Sequence, residues 1–230
     1  MSEGVVLVVG GTGGIGREVA RHYLDQGQEV VLTGSNQERS AGVAAELGEG
    51  ATGLGFDLAQ PETIADALTD VGPVSRLVLA AISRDNNPVR DYTIANAITL
   101  TTMKLVGYTA TIHTLIDRFS DDTSVVLFGG RAKDRPYPGS TTVTTVNGGV
   151  SSLIRTLAIE LAPVRFNAIH PGIVGDSPFW EGKPLDAVVQ RTPTGRLATM
   201  AEVVDATVFL LENRAVNGVN LYVDGGWMLM

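Results

Sequence analysis

An unbroken apolar run, Val5-Val6-Leu7-Val8-Val9, gives way without transition to Gly10-Gly11-Thr12-Gly13-Gly14-Ile15-Gly16, and residues 15–26 then carry an amphipathic helical pattern. This predicts a buried strand, a tight turn and a helix, in that order. The glycines at 10, 14 and 16 let the backbone turn sharply and come close to a bulky anion. At the start of a helix such an anion meets unpaired N–H groups and the positive end of the helix dipole. A glycine-rich turn is equally compatible with a purely structural role. Its position at the head of an α/β pattern is what turns the reading towards a dinucleotide.

That pattern continues along the chain. Strand-like runs recur at 5–9, 29–33, 52–56, 76–81, 124–128, 165–170 and 219–223, with helix-like stretches at 15–26, 37–47, 61–70, 93–118, 140–162 and 201–213 between them. Alternation of this kind predicts a doubly wound parallel sheet of about seven strands with helices on both faces. The short, wholly apolar runs suit strands covered on both sides. No linker, repeat or low-complexity segment interrupts the pattern, so residues 1–230 are read as a single domain. The longest stretches without strand character, 82–92 and 171–195, each follow a strand. They are expected at the carboxyl edge of the sheet, as substrate loops or as ordinary surface loops.

Bulk properties narrow the function. The chain has a net charge of −8 and no run of basic residues, which speaks against a nucleic-acid surface. It has no cysteine, hence no thiol nucleophile, disulfide or cysteine-based metal site, and no metal is expected. Met1-Ser2-Glu3-Gly4 lacks a basic leader, and the apolar run after it is too short to span a bilayer, so a cytoplasmic location without membrane attachment is expected.

Four segments together carry a family resemblance. Val9-Gly10-x-x-x-Gly14-Ile15-Gly16 is similar to the Thr-Gly-x-x-x-Gly-Ile-Gly turn of the short-chain dehydrogenase/reductases, with Val9 in place of Thr. Phe56-Asp57-Leu58 resembles the element whose Asp accepts a hydrogen bond from the adenine amino group. Residues 157–163 followed by Phe166-Asn167-Ala168-Ile169-His170-Pro171-Gly172 resemble the end of the family's fifth large helix, its sixth strand and the Pro-Gly turn. Val223-Asp224-Gly225-Gly226 resembles the ending of the last strand. The resemblance covers nearly the whole chain and implies a Rossmann-like fold binding a nicotinamide dinucleotide. It further implies that Gly10, Thr12, Gly14, Ile15, Gly16, Asp57, Leu58, Ala80, Ala81, Asn147, Pro171, Gly172 and Ile173 line the cofactor.

The family's catalytic groups are missing. Counting back eleven residues from Ala158 puts Asn147 at the position of the usual Lys, and four residues earlier Val143 stands at that of the Tyr. The Ser position falls on Gly129 or Gly130, the Asn-Asn-Ala-Gly segment reads Leu79-Ala80-Ala81-Ile82, and the helix Asn becomes Lys104. Lysine and asparagine have traded places. Valine donates no proton, and losing a positioned general acid costs on the order of 10²–10⁴ in rate, or about 3–5 kcal/mol. Positioning alone supplies up to roughly 7–11 kcal/mol, so redox chemistry survives given a substitute acid or a substrate that needs none. A protonated imine is such a substrate, and a polarised C=C bond protonated by water is another.

Three residues are candidates near the reaction. Lys104 is read as a substitute acid, as a binder of cofactor hydroxyls or a substrate anion, or as a solvated residue on a rotated helix. Asn147 is read as a partner of the nicotinamide ribose or as a helix polar position. Tyr137, in Arg135-Pro136-Tyr137-Pro138, is read as a phenol swung towards the nicotinamide or as loop packing. Ser83, Arg84 and Asp85 are weaker candidates, His170 is expected to be a satisfied structural group, and Thr144 and Thr145 are expected to bond carbonyls of their own helix. No acid ends the second strand, where NAD-specific members keep one. Ser35, Asn36 and Arg39 are candidate donors to a 2′-phosphate, so NADP(H) is favoured over NAD(H), with Arg39 as a merely solvated residue the alternative.

The expected function is an NADP(H)-dependent oxidoreductase with a non-standard active site, reducing an imine or carbonyl in a small-molecule substrate. A cofactor-binding sensor without turnover and a non-redox enzyme reusing the cleft are the alternatives, and Phe179 with Trp180 offers such a cleft an aromatic wall. The resemblance implies a homodimer or homotetramer formed through the helices at 93–118 and 140–162. The apolar Trp227-Met228-Leu229-Met230 is read either as part of a subunit contact or as folded over its own cleft.

Overall fold

A computed structural model describes residues 4–230. Met1–Glu3, which belong to the start read above as lacking a leader, lie outside the described residues. The chain opens with β1 (Val5–Val9), α1 (Gly14–Leu24), β2 (Val30–Gly34), α2 (Gln37–Leu47) and β3 (Ala51–Gly55). It continues through α3 (Ile64–Ala67), β4 (Val74–Leu79), α4 (Ile94–Thr101), α5 (Tyr108–Leu115) and β5 (Phe119–Phe128). It closes with α6 (Thr141–Glu160), β6 (Arg165–Pro171), α7 (Asp186–Arg191), α8 (Met200–Glu212) and β7 (Asn220–Val223). The strands form one seven-stranded sheet in the order β3-β2-β1-β4-β5-β6-β7. Every neighbouring pair is parallel.

The continuous apolar strands are explained by the two cores they feed. Successive strand side chains point to opposite faces. Leu7, Leu77, Leu79, Val125, Leu127 and Phe166 therefore pack on one side against Tyr108, Ile112 and Leu115 of α5 and Val146, Val150 and Ile154 of α6. On the other side Val6, Val8, Val78, Val126 and Ile169 pack against Val19, Ala20 and Tyr23 of α1 and Val203, Leu210 and Leu211 of α8. Each fully buried aliphatic side chain contributes about 1.5–3 kcal/mol relative to exposure. Both faces are thereby closed to ligands.

The strand order reverses direction between β1 and β4, and the crevice of a doubly wound sheet opens at the carboxyl ends of the strands flanking such a point. Gly10 and Ala80-Ala81 stand there.

Several boundaries differ from those the sequence pattern predicts. The fourth strand ends at Leu79, so Ala80 and Ala81 belong to the crevice. The expected helix over 61–70 is a 3₁₀ turn, Pro61–Thr63, and a single turn of α3. The long helix expected over 93–118 is broken in the middle by a π-helical turn, Thr102–Gly107, with Lys104 inside it. The segment 171–195 contains α7. At α8, Thr199 caps the helix by accepting from the Glu202 N–H at 3.2 Å while the Glu202 carboxylate accepts from the Thr199 N–H at 2.9 Å, a capping box of the kind that stabilises a helix start by about 1 kcal/mol. Among the described residues no helix is long and apolar enough to cross a membrane, and no group of metal-ligating side chains gathers.

Candidate active site

The glycine turn makes a cradle. Gly10 adopts φ +87°, and a Cβ on it would lie 2.5 Å from the Ala81 nitrogen. A Cβ on Gly16 would run into the Gly10 carbonyl oxygen. The ends of β1 and β4 and the start of α1 are therefore as close as bare backbone permits. Gly13 is the N-cap of α1 and no side chain caps that terminus, so the N–H groups of the first turn remain for an anion. The residues present fit a dinucleotide pyrophosphate at this point.

The remaining cofactor candidates lie along the carboxyl edge of the sheet, to either side of this turn. Thr12 packs against Gly34, its Cγ2 lying 2.7 Å from where a Cβ on residue 34 would sit. The Arg39 guanidinium hangs beside the turn, with Nη2 at 3.8 Å from a Cβ built on Gly13. Asn36 caps α2, its Oδ1 accepting from the Arg39 N–H at 2.8 Å, and Ser35 and Arg39 are exposed next to it. Asp57 lies in the turn after β3, its Oδ1 accepting from the Ala59 N–H at 2.9 Å, and Leu58 is buried behind it. Pro171 ends β6, and Gly172 donates its N–H to the Val223 carbonyl at 2.9 Å, which holds the Pro-Gly turn and Ile173 against the last strand.

Where the family places its proton-relay groups, the structure holds a different network. Val143 is half-buried and joins the apolar core. Lys104 is only 4% exposed. Its Nζ donates to the Phe128 carbonyl at 2.8 Å and to the Tyr108 hydroxyl at 3.0 Å, and that hydroxyl donates to the Ala81 carbonyl at 2.8 Å. Lys104 thus ties together the carboxyl ends of β5 and β4. Burial away from any carboxylate pushes its ammonium down to about 7, and burial likewise pushes the Tyr108 phenol up. The reading of Lys104 as a solvated residue is corrected by its burial. Two of the three donors of its ammonium are taken by internal acceptors, which makes the side chain a link between the two strand ends.

Asn147 is buried on α6 with its Nδ2 against Gly130, 2.8 Å from where a Cβ would stand. The glycine at the usual Ser position leaves this volume to the Asn147 amide. Behind the same turn sits His170, fully buried, with Nδ1 accepting from the Gly130 N–H at 3.1 Å and Nε2 at 2.7 Å from Asn220 Oδ1. Burial pushes its imidazole down to about 4, as the Lys133 and Arg131 charges nearby also do, against the hydrogen bond to Asn220. Thr145 bonds its own helix at the Thr141 carbonyl, as expected, whereas Thr144 crosses to the Ala132 carbonyl at 3.1 Å because the turn after β5 folds back onto α6.

A cleft of about 490 Å³ opens at the start of α6, lined by Val89, Arg90, Pro136, Tyr137, Ser140 and Thr144 among others, and neither Val143 nor Asn147 is in its wall. Tyr137 is 53% exposed on its rim, away from the Lys104 cluster. The two long loops meet across the opening. Arg84 Cζ lies 3.2 Å and Lys183 Nζ 3.1 Å from the centre of the Phe179 ring, and Trp180 stands edge-on to that ring at 4.8 Å. The C-terminal turn folds back on its own chain: Arg135 donates to the Trp227 carbonyl at 3.0 Å, while Leu229 and Met230 stay exposed.

The sequence reading missed Tyr108 and the His170–Asn220 pair. Tyr108 lies four residues after Lys104, the spacing that stacks side chains on one helix face, and this is the signal that identifies it. Asn220 gives no local signal, since its role depends on β7 pairing with β6.

Comparison with known proteins bears on the family and the fold. A family model described as enoyl-(acyl carrier protein) reductase matches residues 10–228. Carbonyl reductase family member 4 of Danio rerio is 29% identical over 235 aligned positions, covering 98% of each chain. The 3-oxoacyl-[acyl-carrier-protein] reductase of Bos taurus is 30% identical, also over 98% of each chain. Among solved structures, the MalC reductase/Diels-Alderase of Malbranchea aurantiaca superposes with a TM-score of 0.89 at 25% identity, covering 98% of this chain and 95% of that one. A Brucella melitensis short-chain dehydrogenase/reductase (SDR:Glucose/ribitol dehydrogenase) superposes with a TM-score of 0.88 at 26% identity, covering 97% and 96%.

The buried Lys104 makes a testable demand on stability. Its proton is bound near the ordinary 10.5 in the unfolded chain but near 7 in the folded one. Between those values the unfolded state holds more protons, so this residue makes stability rise with pH, by up to about 1.4 kcal/mol per unit. Urea unfolding of the parent and of Lys104→Met at pH 7.5 and 9.5 checks it. The parent is expected to gain more stability over this interval; parallel curves would show an ordinary lysine.

Proposed function

Because the chain belongs to the short-chain dehydrogenase/reductase family and is an NAD(P)H-dependent oxidoreductase, we propose that it uses NADP(H) and reduces a small molecule that brings its own proton, a protonated imine, with a carbonyl as the second choice. The observation that carries this reading is Val143, an apolar side chain at the position the resemblance gives to the proton donor, together with a Lys104 held by two internal acceptors. Bound in the crevice, the reduced nicotinamide supplies a hydride to carbon; the C=N π pair then becomes the nitrogen lone pair, and no further proton is needed.

The protein's own residues hold and orient. The first turn of α1 takes the pyrophosphate, with Gly10, Thr12, Gly14, Ile15 and Gly16 shaping the contact. Ser35, Asn36 and Arg39 take the 2′-phosphate, and Asp57 with Leu58 takes the adenine. Ala80, Ala81, Asn147, Pro171, Gly172 and Ile173 bound the nicotinamide end, with the Asn147 amide donating to the ribose. Lys104 keeps the ends of β4 and β5 at fixed separation beneath them. The loops at 82–92 and 171–195 close over the substrate and exclude water.

One specific observation favours a second reading. The similar MalC protein is named both reductase and Diels-Alderase, so a cleft without the phenol suits a non-redox ring closure as well. NADPH consumption against matched cyclic imines, ketones and activated alkenes separates the two. A cyclic imine assayed below its own pKa is expected to exceed the matched ketone in kcat/KM by about 10² or more, the worth of the missing acid. Equal rates would remove the imine preference, and turnover without NADPH oxidation would favour ring closure.

Cofactor choice is tested separately. A charge-assisted hydrogen bond is worth about 1.5–3 kcal/mol, so Arg39→Ala is expected to raise the NADPH dissociation constant roughly 10- to 150-fold and to leave NADH nearly unchanged. Equal losses would take Arg39 out of the site.

A homodimer or homotetramer is part of the same proposal. Ile94 and Ile98 on α4, Val106 in the π turn and Ile159 on α6 are all exposed on the helices through which the family assembles. Sedimentation velocity is expected to give a dimer or tetramer that Ile98→Glu weakens; a monomeric parent would end this part of the reading.

A further inference from the structure

His170 ties three elements together behind the cleft. It sits on β6, is fully buried, and has each ring nitrogen engaged. The tautomer follows from the partners. The Gly130 N–H is a donor only, so Nδ1 carries a lone pair and Nε2 carries the proton. Nε2–H then donates to Asn220 Oδ1, and the Asn220 Nδ2 donates to the Ser151 carbonyl at 3.2 Å, which fixes the orientation of that amide as well. Ser151 Oγ lies 3.3 Å from the same Nε2 and donates to the Asn147 carbonyl at 3.1 Å. Serine, histidine and asparagine are thus adjacent, yet they form no nucleophile and base, since the nitrogen facing the serine already bears a proton.

The arrangement instead bears on the turn after β5. A Cβ on Gly129 would overlap the imidazole, and a Cβ on Gly130 would meet the Asn147 amide. The two glycines are clasped between His170 on one side and Asn147 on the other. Through Gly130 directly, and through Ser151 to the Asn147 backbone, the ring touches both partners of that contact. We propose that His170 is a positioning residue that fixes the Gly129–Gly130 turn, and so holds the Asn147 amide that packs against it. Its functional consequence rests on the reading above that Asn147 donates to the nicotinamide ribose; the fixing of the turn stands without it.

Two substitutions separate this role from plain core packing. In His170→Asn an amide oxygen lies near the Nδ1 position and keeps an acceptor for the Gly130 N–H. In His170→Gln the amide reaches the Nε2 position, keeps the Asn220 side of the network and leaves the Gly130 N–H bare. Both variants lose the ring and are expected to melt earlier. At a temperature where circular dichroism shows each to be folded, His170→Asn is expected to bind NADPH within threefold of the parent, and His170→Gln at least tenfold more weakly. The Gly130 amide proton should move upfield in His170→Gln alone. Equal affinities in the two variants together with equal Gly130 shifts, or affinities that follow melting temperature, overturn the proposal. A Gly130 shift confined to His170→Gln without any difference in affinity supports the fixing of the turn and removes Asn147 from the cofactor site. Should neither variant fold, Asn220→Asp and Asn220→Ala in the full chain give the same readout, with the Gly130 shift expected to move in Asn220→Ala; an unmoved shift overturns the proposal.

Discussion

A parallel sheet covered on both faces leaves its polar backbone reachable only at the strand ends, and the chemistry of this chain is confined there. Two cores built from alternate residues of the same strands close the flanks. At the carboxyl edge, the reversal of strand order between β1 and β4 holds neighbouring chain segments apart and opens the crevice. Apart from Asn147 on α6, the residues proposed for the cofactor lie along that edge: the turn after β1, the start of α2 after β2, Asp57 after β3, Ala80-Ala81 after β4, and the Pro-Gly turn after β6.

Those strand ends need holding, because their carbonyls have run out of ladder partners, and an unpaired buried carbonyl costs about 1–3 kcal/mol. Lys104 meets that need from inside the π-helical turn, where an irregular helix gives its side chain a route to the Phe128 carbonyl and the Tyr108 hydroxyl. The arrangement has its own cost, seen in the lowered ammonium pKa, since the charged form is desolvated with only neutral acceptors around it. Loss of the proton would relieve that cost and still leave N–H donors for both acceptors.

The fold was legible because it rests on strong local signals: apolar runs of strand length, helical periodicity between them and the glycine turn. All seven strands were anticipated, though that expected at 76–81 overran its end at Leu79, where Ala80-Ala81 still look apolar but already form crevice wall. The helix signal at 93–118 gave no warning of the π turn, since a one-residue widening leaves the hydrophobic pattern nearly intact. Thr199-Met200-Ala201-Glu202 carries the capping-box spacing and was readable in principle. Within α6 the registration that puts Val143 and Asn147 at the Tyr and Lys positions admits no gap, and this is where the proposed site takes its start. The network around those positions was not legible, because Lys104, Tyr108, His170 and Asn220 meet only through tertiary contacts between distant segments.

The lost groups are not four independent substitutions. A side chain at Gly130 would compete with Asn147 for one volume, and a side chain at Gly129 would compete with His170. Restoring tyrosine at Val143 alone would therefore put a phenol beside an amide where its family relies on an ammonium to lower the phenol pKa, and a phenol near its usual value of about 10 is a poor acid at neutral pH. Recovering the standard relay would require lysine at 147, a small polar residue at 130 and release of Lys104 from its two acceptors together. Each step by itself loses hydrogen bonds or packing in the present network and regains no proton transfer. That coupling makes the present network self-consistent: Asn147, Gly130, Gly129 and His170 fit one another, and a change at one position has to be met at the others.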